Sequence, residues 1–453
     1  MQQVRGICDD QGEAMNNATG NAGVPDARSI EAEPAQLRVI LEFASQGERS
    51  LLSDLPALIS SAPHRLMFFA GAVAVLLSMA WWACVLASWY FGTALPAAPV
   101  PAGWAHAVFT QYGMLPLFMF GFLLTVFPRW LGQPALTRQH YVPVFVGVFG
   151  GYLLAHVGLL DHRLVLLFGL GMMLAGWLAA LLALGRVFVR SGASDWHAAS
   201  CFLALCLGAL GLAAFAVFVL GAPASFAILA IKLGTFGLLL PIYFTVCHRM
   251  VPFFSASVVG AGYRVVRPRL TLLPMWLGAL AHVVLEIVGR QEWLWLVDAP
   301  LALLFLAHWL AWQPWKCMRP GLLAVLHVAT AWLPVAFILY ALQSVLAFMG
   351  HGFLLGRAPV HALTIGFFGS MLVAMVTRVT QGHSGRPLQF GAIAWLTFAL
   401  LQVVVLIRIH AEFVADAPLW LLIAAVGWLV AFVPWVVRSL WIFSTPRIDG
   451  KPG

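Results

Sequence analysis

Residues 197–220 read HAASCFLALCLGALGLAAFAVFVL, a run without a single aspartate, glutamate, lysine or arginine. An α-helix rises about 1.5 Å per residue, so this run can cross the roughly 30 Å hydrocarbon core of a bilayer. Inside lipid the backbone must satisfy its own hydrogen bonds, and a helix does so within one segment. The stretch therefore predicts a transmembrane helix.

Similar apolar stretches fill the chain from residue 66 onward. Hydrophobic residues make up 62% of the 453 residues and charged residues 9%, with a mean hydropathy of +0.92. A soluble domain cannot hide so much apolar surface, so the predicted solvent is lipid. We predict an all-α, polytopic integral membrane helix bundle of about twelve transmembrane helices. They lie near residues 66–92, 104–128, 141–160, 164–189, 197–220, 225–247, 270–289, 293–312, 321–348, 358–377, 389–408 and 418–443.

The basic residues predict the orientation of the bundle. The net charge of +8 is spread over loops, which does not indicate a nucleic-acid partner. One set of alternate loops and the C-terminal end carry Arg129, Arg138, Arg186, Arg190, Arg249, Arg264, Arg267, Arg269, Lys316, Arg319, Arg378, Arg386, Arg438, Arg447 and Lys451. The opposite set carries Arg163, Arg290, Arg357 and Arg408. The positive-inside rule therefore predicts that both termini lie in the cytoplasm.

The two ends of the chain differ from the middle. Residues 1–62 are polar and acidic and lack an apolar core, which predicts a disordered cytoplasmic tail without a cleavable signal peptide. Residues 63–445 form the predicted twelve-helix domain, and residues 446–453 a short cytoplasmic tail. The sequence thus predicts one membrane domain with two tails.

Histidine is the main ionisable residue within the apolar stretches. The chain has 14 histidines and three lysines, and ten of the histidines lie in or beside predicted spans. Ionisable groups at membrane depth are costly and are usually kept for a pathway or a bound group. Because these histidines lack matching lysine or aspartate, they indicate metal or haem ligation, or proton handling, more than ion pairing.

Depth along each predicted helix sorts the histidines into layers. His106 and His361 begin spans 2 and 10 at the periplasmic end, and His156 and His282 fall in the same half. A second layer near the cytoplasmic face contains His248, His308 and His383, with His327 between that layer and the middle. Two layers would suit two cofactors, or one cofactor and a proton path. The alternative is that single histidines only bond a neighbouring carbonyl or sit among headgroups.

Lys232 and Glu286 are rare charges at similar depth in the consecutive spans 6 and 7. An ion pair would lower the cost of burying both. We therefore predict a structural pair. The functional alternatives for Lys232 are a partner for a haem propionate and an element of a proton relay.

The densest motif begins at span 10. Residues 359–366 read PVHALTIG, residues 375–378 read MVTR, and residues 381–388 read QGHSGRPL. Gly366 and Gly369 would let another helix or a flat cofactor approach closely. Arg378, His383 and Arg386 crowd the cytoplasmic end, where they could bind acidic headgroups, haem propionates or another anion. The simpler interpretation of this cluster is a loop that sets the topology.

These residues resemble the signature of the NnrS family. The segments GFLLTVFPRW (121–130), RMVPFF (249–254) and LHVATAWLP (326–334) are also similar to family elements, so the likeness covers about residues 62–445. The resemblance implies a multi-span bacterial membrane protein that takes part in the nitric oxide response or denitrification and holds haem and copper. It also implies nitric oxide or a redox partner, besides the lipid bilayer, as binding partners.

The resemblance carries over to particular residues. It implies His106 and His361 as ligands of a b-type haem, and these two are the predicted metal ligands. The wider set of predicted cofactor-binding residues is His106, His361, His327, His282, His383, Arg378, Arg386 and Arg249. Where the family motif reads WHAHE, this chain reads Ala105-His106-Ala107-Val108-Phe109. Val108 and Phe109 thus replace a histidine and a glutamate, and neither valine nor phenylalanine can ligate a metal. The resemblance therefore implies haem more strongly than copper.

Three functions compete at this point. The first is a haem-binding membrane protein of the nitrosative-stress response. The second is a twelve-span secondary transporter in which histidines and Lys232 handle protons. The third is a redox enzyme that reduces nitric oxide. The sequence lacks the adjacent His-His pair of haem–copper oxidases, which counts against this third function. No catalytic constellation is identified, and no C-x-x-C-H motif is present, so a haem would be bound non-covalently.

Overall fold

The computed structural model describes residues 55–449, and within that range every regular element is a helix. Twelve of the helices are long and apolar enough to cross a membrane, which confirms the predicted all-α bundle. We number them α1 to α12. They span Pro63–Phe91, Ala102–Trp130, Arg138–Gly158, Arg163–Arg190, Trp196–Leu220, Ala224–Gly262, Arg269–Ile287, Trp295–Lys316, Gly321–Phe348, Ala358–Ser384, Ala392–His410 and Ala417–Phe443.

The bundle closes on itself, because the first span packs along the last. The guanidinium of Arg65 in α1 donates to the carbonyl oxygens of Ile442 and Thr445 at the end of α12. The two ends of the domain therefore share one face. We call it the high-charge face, since its loops carry Arg138, Arg264 and Arg386. The opposite end, with Arg163, Arg290, Arg357 and Arg408, is the low-charge face.

Helices α2, α6, α9 and α10 form the interior of the bundle, since they have the largest buried shares. One boundary differs from the prediction. The predicted spans 225–247 and 270–289 leave a connector of residues 248–269 between them, but α6 continues to Gly262 and leaves only residues 263–268 between helices. Phe254 explains part of the extension, because its ring packs beneath the guanidinium of Arg378 at 3.8 Å.

Four spans contain a π-helical segment, at Thr110–Met114 in α2, Val146–Gly150 in α3, Leu233–Leu239 in α6 and Ala362–Gly369 in α10. In α2 and α6 the segment lies just before a proline, Pro116 or Pro241. Proline lacks an amide hydrogen and its ring crowds the preceding turn, so a wider turn relieves both problems. Such segments change which face a helix presents, and they occur often at functional sites.

Helices α3 and α4 pack with their backbones in close contact. A Cβ placed on Gly147 would lie 2.5 Å from the Cα of Gly176, and one on Gly151 would lie 2.6 Å from the carbonyl oxygen of Gly169. Small residues at such an interface let transmembrane helices approach and gain van der Waals contact, which replaces the hydrophobic effect inside lipid.

The predicted tails are only partly described. Of residues 1–62, the structure describes 55–62, and here Arg138 donates to the carbonyl oxygens of Ser60 and Ala57 at 3.0 and 2.9 Å. The hydroxyl of Tyr141 also donates to Ser60 at 2.7 Å. These contacts attach residues 57–60 to α3, whereas the prediction placed residues 57–60 in a disordered tail that ends at residue 62. The prediction for residues 1–54 lies outside the described range.

The C-terminal segment is also attached where it is described. Arg447 donates to the carbonyl oxygen of His383 at 2.9 Å, and the Ile448 amide donates to that of Ser384 at 3.2 Å. Residues 446–449 therefore run along the end of α10. Residues 450–453 are outside the described range.

Candidate functional site

Two predicted haem ligands, His106 and His361, lie near the low-charge face. The His106 ring stacks on Trp82 with ring centroids 4.6 Å apart, and its Nδ1 is buried without a hydrogen-bond partner. The Nδ1 of His361 lies 2.8 Å from the carbonyl oxygen of Arg357. A ring that donates through Nδ1 keeps a lone pair on Nε2, which is the usual arrangement of a metal-binding histidine.

The surroundings of the two imidazoles are shared. The charges of Arg357 and Arg408 act on both rings, and His106 acts on His361. Arg408 is buried and bonds Glu412 at 2.5 Å. The π-helical segments begin four residues after His106 and directly after His361. The two imidazoles are therefore both within the electrostatic influence of Arg357 and Arg408.

His156 lies beside this pair on α3. Its ring packs against Phe109 at 4.7 Å, its Nδ1 bonds the Tyr152 carbonyl at 2.9 Å, and its Nε2 is buried without a partner. Phe109 stands where the family motif has glutamate, so an apolar ring fills the space next to His156. Where the resemblance implies a glutamate, this chain therefore presents an apolar ring to His156.

His282, the fourth histidine predicted for this layer, belongs to a different group. Its Nδ1 lies 2.7 Å from Oδ1 of Asp298, and its Nε2 lies 3.5 Å from Oε2 of Glu286. The other carboxylate oxygen of Glu286 lies 2.6 Å from Nζ of Lys232, so the predicted ion pair is confirmed. The expectation that intramembrane histidines lack an acidic partner is wrong at His282. Both of its ring nitrogens therefore face carboxylates, unlike those of His106 and His361.

The predicted layer near the high-charge face is divided in the structure. Nε2 of His197 lies 3.0 Å from Nδ1 of His248, and the rings of His248 and His308 are 5.7 Å apart. His383 is instead beside His64, with ring centroids 4.1 Å apart. Equal depth therefore did not mean contact, because α6, α8 and α10 present these rings in different lateral directions.

A polar cavity of about 330 Å³ opens beside the first of these groups. It is lined by Ser194, Asp195, Trp196, His197, Arg249, Arg267 and Arg269. Arg249 bonds Asp195 at 2.7 Å and stacks on Trp130 at 4.4 Å. Burial by itself raises the pKa of the Asp195 carboxyl. The hydrogen bonds from Arg249 and from the Ala198 amide lower the pKa by more, so it lies below its ordinary value.

The remaining predicted site residues are engaged elsewhere. Nε2 of His327 lies 3.1 Å from the Ser255 hydroxyl, while its Nδ1 is buried without a partner. Arg386 lies over the ring of Trp441 at 4.9 Å. Arg378 is 17 residues beyond His361 on α10, which corresponds to roughly 25 Å of helix. Arg378 therefore lies far along α10 from His361, while Arg386 and Arg249 have the ring contacts given above.

Three residues escaped the sequence analysis: Asp298, His64 and His197. Each lies in the first turn of a span, as an ionisable side chain just inside an apolar stretch. That position is the only sign of these residues in the sequence. It is easily missed, because a charge so near a helix end is usually interpreted as lying at the membrane surface. Only contact with another helix shows that Asp298 is fully buried.

The donor set fits haem better than a bare metal ion. Among residues 55–449, no group of three or more histidine, cysteine, aspartate or glutamate residues is arranged to hold a metal ion. Haem iron receives four nitrogens from the porphyrin, so one or two histidines complete its coordination. The unpartnered nitrogens of His106 and His361 fit that requirement.

The fold and these sites define a polytopic α-helical membrane protein with histidines buried toward both faces. The profile of the NnrS protein family matches residues 58–447, so the chain belongs to the NnrS family. No curated protein matches the chain, and no solved structure does.

Proposed function

We propose that this protein binds a b-type haem near the low-charge face and takes part in the bacterial response to nitric oxide. Family membership supports the class, and the geometry of two imidazoles supports the site. The observation that carries the proposal is the free ring nitrogen on each of His106 and His361 within one electrostatic neighbourhood.

Two arginines complete the proposed site. Arg357 and Arg408 act on both histidines from the low-charge face, and guanidinium groups bind carboxylates such as haem propionates well. Trp82 holds the His106 ring by stacking, and the Arg357 carbonyl orients His361. A bound haem would supply an iron able to bind a diatomic ligand such as nitric oxide.

The test is the haem content of purified variants. His361→Ala and His106→Ala should lose haem or change its absorption spectrum, because the pocket cannot replace the missing Fe–N bond. His162→Ala is the matched control, since His162 is an exposed loop histidine. If both ligand variants keep the wild-type haem content and spectrum, the assignment is wrong, and His327 and His383 become the next candidates.

The role in nitric oxide defence needs a cellular measurement. A strain that lacks the gene should recover growth more slowly after exposure to nitric oxide, and the wild-type gene should restore recovery. The His361→Ala gene should not restore it, although the protein is inserted at the normal level. Equal recovery with and without the gene would contradict the role while leaving haem binding intact.

A second candidate is proton-coupled transport, which the contacts among Lys232, Glu286, His282 and Asp298 favour. Ionisable groups buried at membrane depth are typical of proton-handling transporters. A Soret band in the purified protein would favour the haem protein. A colourless, stable protein would favour the transporter.

The proposed location is the bacterial inner membrane with both termini in the cytoplasm. The loop charges support this orientation, since the high-charge face would lie inside. Reporter fusions at Gly221 and Ala224 should report the periplasm, and a fusion at Arg264 the cytoplasm. The opposite pattern would reverse the orientation of every site.

A further inference from the structure

Four ionisable side chains from α6, α7 and α8 form a continuous string inside the bundle. Its order is Lys232, Glu286, His282 and Asp298, with successive separations of 2.6, 3.5 and 2.7 Å. The exposed fraction of the side chains falls from 28% at Lys232 to 8% at Glu286 and to zero at His282 and Asp298. The string therefore leads from its most exposed group, Lys232, to a fully enclosed end.

The middle contact is satisfied only if it holds a proton. When His282 donates its Nδ1 hydrogen to Asp298, its Nε2 carries a lone pair that faces Oε2 of Glu286. Both of these atoms are buried and without a hydrogen-bond partner. Two acceptors that face each other repel, and one added proton would turn the 3.5 Å gap into a charge-assisted hydrogen bond.

The charges of the four groups lead to the same conclusion. With Lys232 protonated, both carboxylates ionised and His282 neutral, the string has one uncompensated negative charge. Burying an unpaired charge in a medium of low polarity is costly. One proton on Nε2 of His282 makes the string neutral, with two positive and two negative groups in alternation.

We propose that this string is a binding site for one exchangeable proton at membrane depth. The proton enters at Lys232, passes through Glu286 and binds to Nε2 of His282. The imidazole can then release its Nδ1 proton to Asp298, whose Oδ2 is also buried without a partner. After that transfer Asp298 is a neutral acid and His282 is neutral with its hydrogen on Nε2.

The neighbouring groups enclose the inner end of the string. Phe236 of α6 stacks on His282 with ring centroids 3.8 Å apart, and the ring of Tyr340 from α9 lies 5.2 Å away, edge on. Tyr340 is the additional titratable group that faces Glu286 and Asp298. Because these rings pack on His282 and its side chain is fully buried, the more exposed Lys232 end is the entry and exit point of the proton in this proposal.

The proposal can be tested by NMR of full-length protein labelled with ¹⁵N at histidine, in lipid nanodiscs. One imidazole should change between neutral and doubly protonated forms, and its signal should be absent in His282→Gln. Glu286→Gln removes the facing carboxylate and should lower the midpoint by about one pH unit or more. Lys232→Met removes a competing positive charge and should raise the midpoint by a similar amount.

A titrating imidazole separates a proton site from a static ion pair, and the opposite directions of these shifts assign that imidazole to the string. Glu292→Gln is the matched control, because Glu292 lies near the same face in a partly exposed pair with Arg290 and should leave the midpoint unchanged. If His282→Gln fails to fold, the opposite shifts in the other two variants still identify the site. Absence of a titrating imidazole, or a midpoint that neither variant moves, would overturn the proposal. The string is separate from His106 and His361, so the result does not depend on haem content.

Discussion

Gly147 in α3 and Gly176 in α4 touch through their backbones, since a Cβ on Gly147 would lie 2.5 Å from the Cα of Gly176. The contact predicts that Gly176→Leu forces the two helices apart. We expect a loss of about 2 kcal/mol or more in stability, because overpacking costs that much and the helices lose their seam.

The measurement for Gly176→Leu is thermal unfolding in detergent. Gly171→Leu is the control on the same helix, because a Cβ at Gly171 would meet no atom within 4 Å. Gly171→Leu should melt within a degree or two of the wild type. Equal melting temperatures for the two variants would show that close approach of α3 and α4 is dispensable.

The pair of Asp195 and Arg249 should make stability depend on pH. The pKa of Asp195 lies below its ordinary value in the folded protein, so its contribution is fully present above about pH 4, the ordinary aspartate range. The contribution disappears as the pH falls through the lowered pKa. In the wild type the Ala198 amide donates a hydrogen bond to Oδ1 of Asp195 at 2.9 Å. Asp195→Asn keeps a side-chain oxygen that can accept this bond, so the substitution removes mainly the charge.

We expect Asp195→Asn to lower the free energy of unfolding by about 1 kcal/mol at neutral pH, since the pair is partly exposed. The difference from the wild type should vanish in strongly acidic buffer. Melting temperatures across a pH series measure both expectations. Asp161→Asn, which changes an exposed loop carboxylate, should run parallel to the wild type at every pH. If the difference in melting temperature between Asp195→Asn and the wild type does not change with pH, the charge of Asp195 is not its cause.

Lys232 and Glu286 should be energetically coupled, as expected for groups 2.6 Å apart. Lys232→Met alone leaves a buried carboxylate without its partner and should cost about 3 kcal/mol. Combined with Glu286→Gln, the same change should cost clearly less. A double-mutant cycle from unfolding in mixed micelles gives the coupling energy, and additive effects would rule out the interaction.

The N-terminal boundary can be tested by two truncations. Removing residues 1–54 should leave insertion and melting temperature unchanged, because that segment is polar and acidic with no apolar core. Removing residues 1–62 also deletes the carbonyl groups to which Arg138 and Tyr141 donate, and should lower the melting temperature. Arg138→Ala in the full chain should reproduce part of that loss. If both truncations melt like the full chain, the contacts of residues 57–60 contribute nothing.

The sequence was informative about depth. Hydropathy is a local and additive property, so the run at residues 197–220 predicted its own helix without knowledge of its neighbours. Depth along a helix follows from a constant rise per residue. That is why Lys232 and Glu286 could be paired in advance, and why His106 and His361 could be assigned to one layer.

The sequence was not informative about lateral position. Depth alone grouped His248 with His383, but the structure pairs His248 with His197 and His383 with His64. The direction in which a side chain points depends on the rotation of its helix and on the π-helical segments, which alter that rotation. Neither property can be read from hydropathy.

The sequence by itself therefore determined the twelve spans, the family resemblance and the pairing of Lys232 with Glu286. Tertiary structure alone decided that Asp298 meets His282 and that Phe109 packs on His156. The physical reason is that insertion into lipid depends on each segment separately, whereas a buried polar contact needs two helices at a particular rotation and distance.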